Sequence, residues 1–345
     1  MLAVFDGHND ALTREDHALI ARGRDGGHLD LPRMRAGGVR GAIFAVFTRS
    51  DAGAREVQVP RDDGVIEFEP APPVDHPVAA ADATAVAGRL LSLERAGFVR
   101  VARGVADLDR AAADGGEGPP VAVLHLEGAE AIDPDLEALD LWYEAGLRSI
   151  GPVWSRSNAF AHGVPFISPS SPDTGPGLTD AGRALARRCA ELGILIDVSH
   201  LNEAGFWDLA RMGLGPIVAT HSAVHALCPT SRNLTDAQID AVGASRGLVG
   251  IVFAVSFLRA DFADDPDTPL DLIATHARYV ADRIGVAHVA LGSDYDGATM
   301  PAPLGDVAGT PRLLDALADV GFGSDELAQI AWGNWRRVLG AWWRD

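Results

Sequence analysis

The chain has 345 residues, 47% of them hydrophobic and 22% charged, a globular composition with material for a large core, which excludes a disordered polypeptide. Its formal net charge is −19 and it contains no lysine, so it repels phosphate backbones and anionic lipid, and neither nucleic acid nor membrane is expected as a partner. Cys189 and Cys228 lie far apart and form no paired-cysteine motif. They give no sign of a disulfide framework, and with neither a signal peptide nor a membrane-length apolar run the expected location is the cytoplasm.

In chain order, the first predicted strand is residues 2–6, which breaks off into Gly7-His8-Asn9-Asp10. A second apolar run, 39–47, is followed by a segment rich in Pro, Asp and Glu at 50–77, expected as a long loop. Helical spacing at 82–96 (Val86, Leu90, Leu91, Leu93) leads to a strand at 121–126, a helix at 135–145 and a strand at 147–153. A second excursion, 159–176, carries Pro165, Pro169, Pro172 and Pro176. Then strands at 194–199, 217–220, 248–253 and 289–292 alternate with helices at 179–192, 202–212, 235–244 and 269–284, and helices at 310–320 and 324–339 close the chain. Several helices are entered through Ser, Thr or Asn, as caps require.

Apolar runs without strict alternation suit strands buried on both faces. Eight strand–helix repeats predict one (β/α)8 TIM barrel spanning 1–345, with the two excursions at its mouth. A doubly wound open sheet is the rival, but no glycine-rich phosphate turn follows the first strand.

Barrel enzymes place their chemistry where strands end. Here those positions hold His8 and Asp10 (first strand), Glu127 (third), His200 (fifth), His221 (sixth) and Asp294 with Asp296 (eighth). Alone, each is an ordinary turn residue. Converging on one mouth, the carboxylates would repel one another unless a divalent cation joined them. Mixed imidazole and carboxylate ligands suit zinc, with manganese, cobalt or iron(II) as alternatives. The set exceeds one tetrahedral catalytic zinc and fits two metals sharing a carboxylate. A carbamylated lysine cannot bridge in a chain without lysine, so Glu127 is the candidate.

Taken together, "DGHND" (6–10), "HLEG" (125–128), "DVSH" (197–200), "THSAVHAL" (220–227), "SRNLTD" (231–236), "GSDYDG" (292–297) and "GNWRRVL" (333–339) resemble, in order and spacing, the membrane (renal) dipeptidase family of zinc hydrolases within the amidohydrolase superfamily. The resemblance implies two zinc ions, one held by His8, Asp10 and Glu127 and the other by Glu127, His200 and His221. It further implies Asp294 as the proton-transferring acid, Arg232 as the holder of the substrate carboxylate, a dipeptide substrate and a homodimer. A hydroxide generated between two metals can attack an amide carbonyl, Asp294 can move its proton, and a planar guanidinium matches a carboxylate.

The chain departs from the family at the end of the fourth strand, where Trp154 stands in place of a substrate-binding histidine. Indole donates one hydrogen bond and cannot become cationic, so Arg156 or His162 substitutes, or the substrate pocket is altered. His125 and His225 read as structural, and the tryptophans of the C-terminal segment as packing or oligomer contacts. The leading function is a metallodipeptidase, with tolerance of a C-terminal D-residue. Its alternatives are hydrolysis of another amide, such as an N-acyl amino acid or a lactam, and a non-catalytic metal-binding barrel.

Overall fold

The structure is a computed structural model that describes residues 2–49, 58–68 and 71–344. Eight parallel strands form the frame: β1 (Val4–Asn9), β2 (Val39–Phe47), β3 (Val121–Glu127), β4 (Leu147–Gly151), β5 (Leu195–Ile196), β6 (Val218–Ser222), β7 (Leu248–Ile251) and β8 (Val289–Leu291). Ladders run β1 through β5 in order and again β6 through β8. Single parallel bridges close the two seams, Asp197 with Val218 and Asn9 with Tyr295. The predicted (β/α)8 barrel is therefore the fold.

Side chains reinforce both seams. Asp197 accepts hydrogen bonds from the Thr220 amide (2.9 Å) and hydroxyl (2.6 Å) across the β5–β6 gap, and from the Ser199 amide (3.0 Å) and hydroxyl (2.6 Å). This carboxylate replaces backbone ladder bonds, so β5 is two residues long where a six-residue run was expected. At the other seam, the Ser293 amide donates to Asp6 at 2.7 Å and the Asp294 amide to the His8 carbonyl at 3.0 Å.

The outer helices begin as their caps dictate. Asn202 caps Glu203–Met212, and Thr235 with Gln238 forms a capping box on Asp236–Ala244. The predicted final helix is interrupted by a π turn at Gln329–Gly333 before Asn334–Trp342. Trp335, fully buried, then donates to the Leu291 carbonyl at 2.9 Å and lies against Phe5. Gly7 has no room for a side chain, because a Cβ there would collide with Trp335 and with the carbonyls of Thr220 and Leu291. Trp342 and Trp343 are buried too, so these three tryptophans serve packing, while Trp332 is half-buried.

The two excursions differ most from expectation. Within the first, whose residues 50–57 and 69–70 lie outside the described residues, Gln58–Pro60 pairs antiparallel with Ile66–Phe68, and helix His76–Arg95 begins earlier than predicted. Ile66–Phe68 in turn pairs with Ile167–Ser168 of the second excursion. What read as two proline-rich loops is one small antiparallel sheet over the barrel mouth. Cys189 and Cys228 are buried and unbridged. Among the described residues, no helix is long and apolar enough to cross a membrane.

Candidate metal centre

All five predicted ligands meet at the C-terminal rim of the barrel. His8 Nε2 lies 3.6 Å from Asp10 Oδ2 and 3.4 Å from Glu127 Oε2, while Glu127 Oε1 lies 2.9 Å from His200 Nε2 and 3.6 Å from His221 Nε2. Glu127 thus turns one oxygen to each group. The ligand atoms of His8, Asp10 and Asp294 also fall within 4.8 Å of one another.

Hydrogen bonds fix how the imidazoles face inward. The Thr220 hydroxyl gives its proton to Asp197, so it accepts from His221 Nδ1 at 2.8 Å, which leaves His221 Nε2 as a lone pair. His200 Nδ1 is held by Ser155 Oγ at 2.9 Å. The Nε2 atoms of His200 and His221 then stand 2.9 Å apart beside the same carboxylate oxygen. His8 Nε2, His8 Nδ1 and Asp10 Oδ1 are buried with no hydrogen-bond partner among the described residues. Buried polar atoms are almost always paired, and a cation among His8 Nε2, Asp10, Glu127 and the lone pair of His221 Nε2 would pair them.

The electrostatics agree. Burial alone would discourage a charge on His8, yet Glu127 and Asp10 draw it toward protonation, well above the ordinary histidine range. Burial would likewise raise Glu127, but His8 and His200 hold it well below. Burial pushes His200 down to about 4 and His221 well below its usual value, which keeps both neutral and able to ligate. These residues fit a metal centre.

Asp294 sits on the β8 turn with φ 65, and Asp296 two residues on has φ 70. Burial and the repulsion of Asp10 and Glu127 raise the Asp294 carboxyl well above the carboxylate range. Asp10 and Asp294 approach so closely around Gly297 that a Cβ there would strike both carboxylates. Asp296 carries an already engaged carboxylate: it accepts from Arg24 at 2.6 Å and from the His28 amide at 2.6 Å. Sequence reading missed Arg24, which lies in an aperiodic loop that also carries Arg14 and Arg22, so nothing local singles it out.

Arg232 is 2% exposed. It donates to Ser222 Oγ at 2.8 Å and the His221 carbonyl at 2.7 Å, and Nη2 lies 3.3 Å from His200 Nε2. No carboxylate among the described residues pairs with it, and its Nε has no partner. Trp154 lies 5.9 Å from the His200 ring, lining a cavity of about 300 Å³ that includes Asp10, Glu127, His200 and Asp294. Neither suggested substitute for the missing histidine is free. Arg156 is bound to Glu130 at 2.8 Å and to the Thr48 carbonyl at 2.7 Å, and His162 to Ser157 at 2.9 Å. His125 is bonded to Ser149 at 2.8 Å, and His225 to the Ser170 carbonyl at 2.9 Å.

A family model described as membrane dipeptidase (peptidase family M19) matches residues 1–342. An uncharacterized protein of the pqqA 5′ region in Klebsiella pneumoniae is 48% identical over 249 residues, 72% of this chain and 91% of that one. A metallopeptidase from Rhodobacter sphaeroides, solved with a phosphinate mimic of the dipeptide L-Ala-D-Ala, is 42% identical with a TM-score of 0.92, covering 99% of each chain. The structure of the metallopeptidase dipeptidase AC, of family M19, is 43% identical with a TM-score of 0.91, again over 99% of both. With nearly its whole length matched to one model, the chain belongs to the membrane dipeptidase family, peptidase family M19, and is a metal-dependent dipeptidase.

Proposed function

We propose that the chain hydrolyses dipeptides carrying a free amine and a free carboxylate, including those with a C-terminal D-residue, with a pair of zinc ions at this centre. His8, Asp10 and Glu127 would hold one ion, and Glu127, His200 and His221 the other. Bound metal supplies Lewis acidity and a water ionised near neutral pH. Asp294, whose carboxylate falls within 4.8 Å of the ligand atoms of His8 and Asp10, would accept the proton of the water and deliver it to the departing amine. Arg232 clamps the substrate carboxylate.

Arg232 is the observation that carries this reading. A buried guanidinium without a carboxylate partner leaves a strong donor unsatisfied, and a dipeptide's own carboxylate satisfies it. The mimic of L-Ala-D-Ala bound by the Rhodobacter sphaeroides relative supports the tolerance of a D-residue.

Metal analysis of protein never exposed to chelator, with a screen of L-Ala-L-Ala, L-Ala-D-Ala and their N-acetylated and amidated forms, tests the proposal. Two equivalents of zinc per chain and turnover abolished by blocking either end are expected. Chelation should remove activity, and zinc should restore it. Equal turnover of N-acetyl substrates would favour an acyl-amino-acid hydrolase, and a metal-free active protein would refute the reading.

A further inference from the structure

The cavity beside the metal centre has two unlike sides. Asp10, Asp294 and Asp296, with Asp264 and Thr299, line one. Three of these acids come from the turns after β1 and β8. The other side is aromatic and comes from the end of β2, the segments after β4 and β7, and the first excursion. Phe47 lies 5.0 Å from Trp154, Trp154 5.7 Å from Phe166, and Phe166 5.2 Å from Phe257 and 5.8 Å from Phe68. All five rings line the cavity.

This wall begins at the metal centre and ends under the carboxylate clamp. Trp154 and Phe166 stand 5.9 and 6.2 Å from the His200 ring, and the Arg232 guanidinium lies 5.6 Å from the Phe257 ring. A dipeptide with its carboxylate on Arg232 and its scissile carbonyl beside Glu127 therefore lays its C-terminal residue along the aromatic side, with its ammonium directed toward the acidic side. The wall is also held rigid. The Phe68 amide donates to the Phe166 carbonyl at 2.9 Å, joining the two excursions, and Arg156 lies 5.4 Å from the Trp154 ring while bound to Glu130.

We propose that this wall is the subsite for the side chain of the substrate's C-terminal residue, and that it selects large apolar side chains of leucine or phenylalanine size. The proposal rests on the dipeptidase reading above and on Arg232 as its clamp. Burying several extra carbons against preformed rings favours the larger substrate, and kcat/KM for Ala-Leu is expected about 30-fold above that for Ala-Ala. A charged side chain there loses its hydration without gaining a partner, so Ala-Asp falls below Ala-Ala.

The experiment measures kcat/KM of the zinc-loaded enzyme for Ala-Ala, Ala-Leu, Ala-Phe, Ala-Asp and the reversed Leu-Ala, with the C-terminal residue in both configurations. Phe166→Ala should lower the Ala-Leu to Ala-Ala ratio about tenfold. Because the readout is a ratio, partial loss of folded enzyme cancels, and Phe166→Leu, with a smaller expected drop, serves if Phe166→Ala does not fold. Equal rates for Ala-Leu and Ala-Ala, a preference carried by Leu-Ala instead, or a ratio untouched by both variants would overturn the subsite while leaving the dipeptidase reading intact. No turnover of any dipeptide would overturn both.

Discussion

Asp296 supports a stringent test of how the site is held. Its carboxylate is fully buried, 2.6 Å from an equally buried Arg24 guanidinium, and it also accepts the His28 amide at 2.6 Å. Asp296→Asn keeps the shape and removes the charge. Arg24 would retain the carbonyls of Ala11 and Leu29 and a 3.3 Å contact with the partly exposed Asp16. Breaking a buried pair from one side costs about 3–5 kcal/mol, and the surviving Asp16 contact places this case near 3. At roughly 0.7 kcal/mol per degree for a 345-residue chain, the melting temperature should fall by about 4 °C. Asp294 shares the same left-handed turn, so kcat should drop about tenfold with KM little changed. Thermal scans of the zinc-loaded variant and steady-state kinetics on Ala-Ala read both effects. The double variant Arg24→Met with Asp296→Asn should recover much of the stability, because no uncompensated charge remains while Asn still accepts the His28 amide and suits φ 70. A single variant within 1 °C of the parent, or a double variant no better than the single, would refute the argument.

Buried His276 accepts the Val224 amide at Nδ1 (3.0 Å) and donates from Nε2 to the Leu258 carbonyl (3.1 Å), and burial lowers its pKa from 6.5 to about 4. The unfolded chain therefore binds this proton before the folded one does. Its contribution to stability is intact above pH 6.5 and is lost as pH falls toward 4, up to roughly 3 kcal/mol. Urea midpoints between pH 7.5 and 4.5 should fall less steeply in His276→Gln, and parallel profiles would count against the assignment. Gly297→Ala should separate the Asp10 and Asp294 carboxylates and weaken metal retention at least about tenfold; competitive titration against a chelator measures this, and unchanged affinity would contradict the crowding described around Gly297.

The barrel was legible because each apolar run ends in polar residues, and the clustering of His8, Asp10, Glu127, His200 and His221 was legible because they stand at those ends. Backbone periodicity does not show which carboxylate replaces a ladder, so the shortness of β5, set by Asp197, escaped notice. The helix Val105–Ala113 escaped because its apolar positions are mostly alanine, too weak a stripe to read. Proline density made 50–77 and 159–176 read as loops, yet partners a hundred residues apart turned parts of both into strands. The pairing of Arg24 with Asp296 spans 272 positions and has no local signature at all.

The shared sheet over the mouth has an evolutionary consequence. Among the described residues, the strand of the second excursion has no partner within that excursion: Ile167–Ser168 pairs with Ile66–Phe68 of the first, and the rings that close the cavity come from both. A recombinant that inherited one segment from a homologue and kept the other would present mismatched halves to each other. New specificities in this lineage should therefore arise by linked change in the two segments, with co-varying substitutions at Phe68 and Phe166 as the trace left in descendants.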